Sequence, residues 1–254
     1  MKESISINNL IIEVGRRCNR LCDHCLRGKS EDVTIEMKYV EKVFSQISHI
    51  GCITFSGGEP TLYGKEIEKI VDYIIENEIS VNDFYVASNG EIYSHDLMCA
   101  LVKLYAYIMD KNGYVEVSCY DVSDDQFHNP SDDVVNKLSA FSFFNKRRDI
   151  PRQGIINEGL ASDNGIGYRY LDYDKKFYVE RYGDDDLCVD LMYLNALGYL
   201  YADCDYSYAT QRANAVLNCE QHLLSQIFLD EKFSDVEDWI WKQIFLFLNT
   251  RGIS

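Results

Sequence analysis

The chain has 254 residues, 46% of them hydrophobic, so it is long enough to bury the core of one large domain. Its formal net charge of -16 repels phosphate backbones, which makes nucleic acid a poor expectation as a partner. No apolar run reaches about 18 residues and the amino terminus lacks a signal-peptide pattern, so we predict no membrane span and expect a cytoplasmic location. The nine cysteines then favour metal binding over a disulfide framework.

Short apolar runs alternate with amphipathic stretches from the amino terminus to about residue 150. This alternation predicts a parallel sheet built from right-handed crossovers, either an open, partial α/β barrel or a doubly wound sheet. In both folds the functional loops follow the carboxyl ends of the strands. The predicted strands cover residues 10–14, 52–56, 84–88, 114–118 and 154–157, and the predicted helices cover residues 34–47, 66–79, 96–109 and 132–144.

The first predicted strand runs into the segment GRRCNRLCDHC, which contains Cys18, Cys22 and Cys25. A structural zinc ion takes four protein ligands, and cubane iron–sulfur clusters usually take four thiolates. Three cysteines therefore leave one position open. His24 is available for zinc by residue type, although it lies directly beside Cys25, whereas an open iron is useful only where an outside ligand must bind.

Basic residues surround these cysteines, and two interpretations of them are open. The loop is simply solvated, or it carries a local positive potential for an anionic cofactor or an acidic electron donor. The residues are Arg16, Arg17, Arg20, Arg27 and Lys29.

The second and third predicted strands end in the segments SGGEP, at residues 56–60, and SNG, at residues 88–90. Adjacent glycines let a ligand approach the backbone closely, and the carboxylate of Glu59 suits an ammonium group. An ordinary turn is the alternative for both segments, since Asn and Gly are common turn residues. The position of SGGEP one crossover unit after the cysteines favours a joint site.

The segment CNRLCDHC followed by SGGEP resembles the radical S-adenosylmethionine (SAM) superfamily over roughly the first 150 residues. The resemblance implies a [4Fe–4S] cluster on Cys18, Cys22 and Cys25, with its fourth iron chelated by the amino and carboxylate groups of SAM. His24 departs from the aromatic residue that the family usually has at this position. The residues implied to contact SAM are His24, Gly57, Gly58, Glu59, Ser88, Asn89, Gly90 and Ser118.

The resemblance also implies a partial (β/α)6 barrel in residues 1–159, followed by a C-terminal hairpin-plus-helix extension in residues 160–254. We expect the extension to contain a hairpin that turns at residues 196–198 and an amphipathic helix between Ser234 and Gly252.

The remaining cysteines divide into two groups. The segment around Cys188, Cys204 and Cys219 is similar to the auxiliary-cluster extensions called SPASM and twitch, which implies a second iron–sulfur cluster there. A metal-free hairpin that caps the barrel is the alternative. The other three are expected to be buried as small apolar side chains, namely Cys52, Cys99 and Cys119.

The function implied by the resemblance is reductive cleavage of SAM, giving a 5'-deoxyadenosyl radical that abstracts hydrogen from a peptide or small metabolite. A flavodoxin or ferredoxin is the expected reductant, docking near Arg16, Arg17 and Arg20. Two other radical SAM activities stay open, namely activation of a glycyl-radical enzyme and viperin-like nucleotide chemistry. A zinc-binding interaction module explains the cysteines but leaves SGGEP and SNG unexplained.

Two polar residues near the fourth predicted strand have competing interpretations. Asp121 continues a recurrent pattern of the family, or it caps a turn. His128 is close enough in sequence to reach the site, although a surface position is the expectation.

Overall fold

The structure is a computed structural model that describes residues 4–148, 154–173, 175–182, 186–213, 217–219 and 233–234. Its strands are β1 (Ser4–Glu13), β2 (His49–Ser56), β3 (Ser80–Ser88), β4 (Cys119–Asp124), β5 (Phe144–Arg148), β6 (Phe177–Tyr182), β7 (Asp186–Leu194), β8 (Tyr199–Tyr201), β9 (Leu217–Asn218) and β10 (Phe233–Ser234). Its α-helices are α1 (Met37–Phe44), α2 (Gly64–Glu76), α3 (His95–Asn112), α4 (Asp132–Leu138), α5 (Gly159–Asp163) and α6 (Tyr208–Ala213), and Pro60–Tyr63 form a 3-10 helix.

The strands β1 to β5 lie side by side in chain order, and each is parallel to the one before it. The helices α1 to α4 connect them, so the predicted α/β class with a mostly parallel sheet is confirmed. A sixth parallel strand, β7, pairs with the other side of β1 instead of continuing beyond β5. On that side β6 and β8 run antiparallel to β7.

Helix α2 shows how the sequence pattern holds a helix on this sheet. Ile67, Ile70, Val71 and Ile74 recur at the three-to-four spacing of an amphipathic helix, and all four are fully buried. Each such side chain contributes about 1.5–3 kcal/mol relative to an exposed one. This packing anchors the helix that follows SGGEP, and with it the loop at the end of β2.

Several predicted boundaries near the fourth strand are wrong. Strand β4 begins at Cys119, not at residue 114. The alternating pattern before it is misleading because Val117 is 64% exposed and its backbone N–H donates to the Asp83 carboxylate (3.0 Å) instead of to a neighbouring strand. Helix α4 ends at Leu138, and the chain reaches β5 where helix was predicted.

The fifth strand was also predicted in the wrong place. Residues 154–157 form no strand, and Ile156 makes only a single bridge with Arg169. The strand beside β4 is β5, whose polar sequence FNKRR lacks the apolar run that would have indicated it.

The C-terminal extension continues the same sheet. Strands β7 and β8 form the predicted hairpin, which closes with a hydrogen bond from Gly198 N to Asn195 O (3.0 Å). Gly198 has a φ of 83°, a left-handed conformation that favours glycine. Because β7 pairs with β1, the sheet crosses the predicted boundary between residues 159 and 160, and a division of the chain there stays a prediction.

The helices of the extension are short where the structure describes them. The predicted helix between Ser234 and Gly252 lies outside the described residues. Over the described ranges, no helix combines the length and the apolar character needed to cross a membrane.

A buried ion pair joins β1 to the extension. Arg16 is fully buried just after β1, where its Nε donates to Glu13 (2.6 Å) and its Nη2 donates to Gln211 of α6 (2.6 Å). Glu13 also accepts hydrogen bonds from the Tyr193 hydroxyl of β7 and from Ala196 N in the hairpin turn (3.1 Å). This network therefore fixes the extension against the strand that leads into the cysteine segment.

Candidate functional site

One cavity of about 350 Å³ opens at the carboxyl ends of the parallel strands. The segment after β1, the ends of the next four strands and residues 154–156 form its walls. This is the place where both candidate folds were expected to carry their functional loops. The predicted site residues that line it are Cys18, Cys22, His24, Cys25, Gly57, Gly58, Glu59, Ser88 and Asn89.

Gly57 and Gly58 let the cysteine segment lie directly against the end of β2. A β-carbon on Gly57 would lie 2.3 Å from the carbonyl oxygen of Gly15, and one on Gly58 would lie 2.3 Å from that of Arg17. At this distance Gly58 N donates to Gly15 O (2.9 Å) and Glu59 N donates to Arg17 O (3.0 Å). The glycines were expected to make room for a ligand, and they make room for the cysteine segment itself.

Glu59 is a carboxylate with only 2% of its surface exposed. Its oxygens accept from Thr61 N (3.2 Å), Thr61 Oγ1 (2.7 Å), Ser88 Oγ (2.8 Å) and Asn89 N (3.0 Å). Burial raises the pKa of Glu59 above its ordinary value, and no cationic side chain among the described residues lies within ion-pair distance of it. A buried charge of this kind is costly without a partner, so the wall fits a ligand that brings an ammonium group.

The three thiols line the same cavity, but their sulfur atoms do not all lie close to one another. Where the structure describes the chain, the only three candidate metal ligands with all their ligand atoms within 4.8 Å of one another lie elsewhere, at residues 203–205. Tetrahedral zinc, with Zn–S bonds of about 2.3 Å, brings sulfur atoms to about 3.8 Å from one another. At least one pair of the sulfur atoms of Cys18, Cys22 and Cys25 is therefore farther apart than two sulfur ligands of one zinc ion.

The thiols of Cys18 and Cys22 are protonated before they bind metal. Burial raises the pKa of Cys18, and it raises the pKa of Cys22 to about 11. Thiolate is the ligand form, so metal binding releases their protons.

His24 is held by aromatic contacts beside the cysteines. Its ring stacks on Phe127 with 3.9 Å between ring centroids and lies edge-on to His128 at 5.0 Å. Burial lowers the pKa of His24 to about 4, so the ring is neutral at physiological pH. Its Nδ1 is buried without a hydrogen-bond partner among the described residues, which leaves a polar atom for a bound group.

The SNG segment connects Glu59 to the cysteine segment. Ser88 and Asn89 both donate to the Glu59 carboxylate. The side chain of Asn89 reaches the other way, where its Nδ2 donates to Asn19 Oδ1 (2.9 Å). The two predicted motifs are therefore parts of one hydrogen-bonded wall.

Two of the implied SAM contacts lie away from the cavity. Gly90 does not line it, and its φ of 70° together with close packing on Pro130 gives it the role of a turn glycine. Ser118 lies at the amino end of β4, where its hydroxyl donates to Asp83 (2.9 Å). The carboxyl end of β4 instead places Ser123, five residues after Ser118, in the wall of the cavity.

Tyr85 and Arg147 also line the cavity, although the sequence did not single them out. The Tyr85 hydroxyl donates to the Asp121 carboxylate (2.9 Å), which also accepts from Asn145 Nδ2 (2.6 Å). Asp121 therefore anchors the wall from inside the sheet and does not cap a turn. Asp121 and Ser123 share one face of β4. The alternation of side chains along a correctly placed β4 would therefore have indicated that both belong to this wall.

The basic residues around the cysteines do not form one positive patch. Arg16 is buried against Glu13, and Arg20 Nε pairs with Glu91 (2.6 Å). Arg17 stays half-exposed. Arg16 and Arg20, the other two arginines expected to dock an acidic partner, are already paired with carboxylates.

The cysteines of the extension lie apart in the described part of the chain, and the second cluster implied for all three stays a prediction. Cys188 lies in β7 with its Sγ 3.1 Å from Asn8 Oδ1, whereas Cys219 N donates to Gly198 O at the hairpin turn (2.8 Å). Six strand residues, about 20 Å, separate Cys188 from the end of β7 that leads to this turn. Cys204 follows β8 and is half-buried.

The other three cysteines are less buried than expected. Cys52, Cys99 and Cys119 are all partly exposed. Burial is still sufficient to raise the pKa of Cys52 and of Cys119 to about 11, so both are neutral thiols.

Comparison with known sequences finds similarity over only part of the chain. No family model matches it. It is 27% identical to an uncharacterized protein of Methanocaldococcus jannaschii over 100 residues, which are 38% of this chain and 35% of that protein. The match therefore spans about a third of the relative's length.

Comparison with solved structures identifies the fold. Native anSMEcpe with bound AdoMet (that is, SAM) and Cp18Cys peptide has a TM-score of 0.53 at 12% identity, covering 89% of this chain and 81% of that one. Native anSMEcpe with AdoMet alone has a TM-score of 0.52 at 13% identity, covering 90% and 81%. Streptococcus suis SuiB bound to its precursor peptide SuiA scores 0.46 at 12% identity, and 88% of this chain aligns with 65% of that chain. The chain has the fold of radical SAM enzymes.

Proposed function

We propose that the chain is a radical SAM enzyme that cleaves SAM at a [4Fe–4S] cluster and abstracts hydrogen from a peptide. The observation that carries the proposal is one cavity in which three thiols share a wall with a buried, unbalanced carboxylate at the strand ends. When bound, the cluster supplies one electron that cleaves SAM into methionine and a 5'-deoxyadenosyl radical. The residues present fit both groups, because the thiols supply soft ligands and Glu59 supplies the counter-charge for an ammonium.

The residues of the wall would act by binding and orientation. Cys18, Cys22 and Cys25 would hold the cluster and leave one iron for SAM. Glu59 would accept the amino group of SAM, held in position by the hydroxyl of Ser88 and the backbone of Asn89. A carboxylate fixed by four donors needs little reorganisation when the ligand binds.

The remaining walls would exclude water from a reactive radical. Phe55, Ile155 and Ile156 are apolar residues in the wall of the cavity, and Ser123 is one of its polar residues. Cavities of this composition bind small cofactors by burying most of their surface. Ser123 is the polar residue at the end of β4 that would take the SAM contact implied for Ser118.

A peptide substrate is supported by the comparison with anSMEcpe, which is described with a bound Cp18Cys peptide. The reductant would be a flavodoxin or ferredoxin, and Leu21, 69% exposed within the cysteine segment, offers such a partner an apolar contact. The nine free cysteines suit a reducing compartment such as the cytoplasm.

The experiment that tests the proposal is a SAM-cleavage assay. Protein purified and reconstituted without oxygen is mixed with SAM and dithionite, and 5'-deoxyadenosine is measured by mass spectrometry. We expect 5'-deoxyadenosine from the wild type, none from a Cys18→Ala, Cys22→Ala, Cys25→Ala triple variant, and a wild-type amount from the matched control Cys99→Ala. A colourless protein with stoichiometric zinc and no 5'-deoxyadenosine would contradict the proposal.

A further inference from the structure

We propose that Arg27 and Tyr208 form a subsite that binds a carboxylate of the peptide substrate, in a second cavity beside the one that would hold SAM. The inference rests on the proposed function, because it names a chemical feature of that function's substrate. Arg27 lies in the walls of both cavities, and Tyr208 lies in the wall of the second.

The second cavity has room for part of a peptide. Its volume is about 600 Å³, and residues 27–31, helix α5 and helix α6 contribute to its walls. Tyr170 and Tyr173 also line it, with 78% and 49% of their surfaces exposed. Exposed tyrosine rings offer a peptide both apolar contact and a hydroxyl group. Because Arg27 also borders the first cavity, a peptide anchored on it lies next to the proposed SAM site.

Arg27 is a half-buried cation that no carboxylate neutralises. Its Nη1 donates to the backbone carbonyl of Tyr206 (2.6 Å), and its Cζ lies 5.0 Å from the centre of the Tyr193 ring. Within the described ranges of the chain it makes no ion pair. A guanidinium carries five N–H donors in a fork that fits the two oxygens of a carboxylate, so most of its donors are left for a ligand.

Tyr208 adds a second donor that has no acceptor. The residue is 3% exposed, and its hydroxyl is buried without a hydrogen-bond partner among the described residues. Burial raises the pKa of Tyr208 above its ordinary value, so the hydroxyl keeps its proton. Tyr208 N donates to Arg27 O (3.0 Å), which ties the two residues together. Buried hydroxyls nearly always have a partner, and a carboxylate bound by Arg27 supplies one here.

The acidic residues of the second cavity do not take the place of this ligand. Glu31 pairs with Arg212 (2.7 Å), the other arginine of the wall. Glu158 accepts hydrogen bonds from two hydroxyl groups and one backbone N–H. Asp163 is exposed to water. The charge of Arg27 is therefore left for a group that enters the cavity.

The test measures how small peptides bind to the reconstituted full-length protein at saturating SAM, with the cluster oxidised so that SAM stays intact. N-acetylglycylglycine carries a terminal carboxylate, N-acetylaspartate methylamide carries only a side-chain carboxylate, and N-acetylglycylglycinamide is the neutral control. Dissociation constants come from saturation-transfer NMR titrations. We expect at least one carboxylate to bind about 10-fold or more tightly than the neutral amide, and the tighter of the two identifies the source.

Three variants assign this preference to residues. Arg27→Gln should remove the preference for a carboxylate, and Tyr208→Phe, which removes only the hydroxyl, should reduce it. The matched control is Arg212→Gln, which changes an arginine of the same wall that is already paired, and it should keep the wild-type preference. SAM affinity, measured by calorimetry, should be the same in all three variants and the wild type.

The outcomes separate this inference from the proposed function. Equal binding of the three peptides to the wild type, or an unchanged preference in Arg27→Gln, overturns the inference alone. A loss of SAM affinity in Arg27→Gln also overturns it, because the arginine then binds SAM. If Arg27→Gln does not fold, Tyr208→Phe decides, and a wild-type preference in that variant overturns the inference. A wild type that binds carboxylates through Arg27 but forms no 5'-deoxyadenosine keeps the subsite and overturns the proposed function.

Discussion

At the scale of single residues, the sharpest prediction concerns Glu59. Its buried carboxylate accepts hydrogen bonds from four donors and pairs with no cation among the described residues. Glu59→Gln removes the charge but keeps the size of the side chain. We predict that SAM affinity falls by about 10- to 100-fold, the effect of losing a charge-assisted hydrogen bond of about 1.5–3 kcal/mol. Isothermal titration calorimetry on the cluster-containing protein measures it.

The control for this change is Glu76→Gln, the same substitution at an exposed glutamate near the end of α2. It should leave both iron content and SAM affinity unchanged. Equal affinities for Glu59→Gln and Glu76→Gln would show that Glu59 does not bind SAM.

The pKa of Glu59 gives a second prediction for the same residue. Burial raises this pKa above its ordinary value, and only the ionised form attracts an ammonium. SAM affinity should therefore fall as pH is lowered through the raised pKa, at a higher pH than an ordinary glutamate with a pKa of about 4.3 would allow. Affinity measured across this range should lose the Glu59-dependent part of its acid sensitivity in Glu59→Gln.

At this scale the sequence predicted which contiguous motifs line the cavity. It did not predict the position of a residue that depends on where a strand begins. Cys18, Cys22, Cys25 and Glu59 line one cavity because their loops follow neighbouring parallel strands, which the alternation of elements predicts. Ser118 was misplaced because Val117 follows a strand-like pattern although its N–H bonds to a side chain. Local patterns do not report such tertiary hydrogen bonds.

At the scale of elements, the close approach between the end of β2 and the cysteine segment depends on glycine. A β-carbon on Gly58 would lie 2.3 Å from Arg17 O and 2.6 Å from Arg17 C, and backbone atoms cannot yield as a flexible side chain can. We predict that Gly58→Ala displaces the cysteine segment and lowers iron content after reconstitution, measured by colorimetric iron assay.

Gly113→Ala is the control at the end of α3. Gly113 has a φ of 77° and nothing within 4 Å of an added β-carbon, so this change introduces only backbone strain of about 1–2 kcal/mol. It should lower the thermal stability without changing the iron content. Full iron content in Gly58→Ala would contradict the role given to the contact.

At the scale of the whole molecule, one buried network joins β1 to the extension through Arg16, Glu13 and Gln211. Arg16→Met removes the cation that pairs with the buried Glu13 carboxylate. We predict a loss of about 3–5 kcal/mol in the free energy of unfolding, measured by urea denaturation. Arg212→Met removes an exposed arginine that pairs with Glu31 (2.7 Å), and it should lose no more than about 1 kcal/mol. Equal losses would contradict the account of the network.

The overall architecture was predicted only in part, for a physical reason. The parallel core follows from alternating elements, and the hairpin that turns at residues 196–198 follows from local pattern. The pairing of β7 with β1 joins residues about 180 positions apart, since Ser4 lies opposite Asp186. No periodicity encodes that pairing, and so the order of strands and the distance between Cys188 and Cys219 emerge only from the folded sheet.

The central claim is that three cysteines hold a cluster with one iron left for SAM in this cavity. EPR spectroscopy of the dithionite-reduced protein, recorded with and without SAM, tests it most directly. We predict the signal of one reduced [4Fe–4S] cluster per chain, a changed signal when SAM is added, and a much weaker response to SAM in Glu59→Gln. A cluster signal that SAM leaves unchanged, or a protein that binds zinc and gives no signal, would contradict the account.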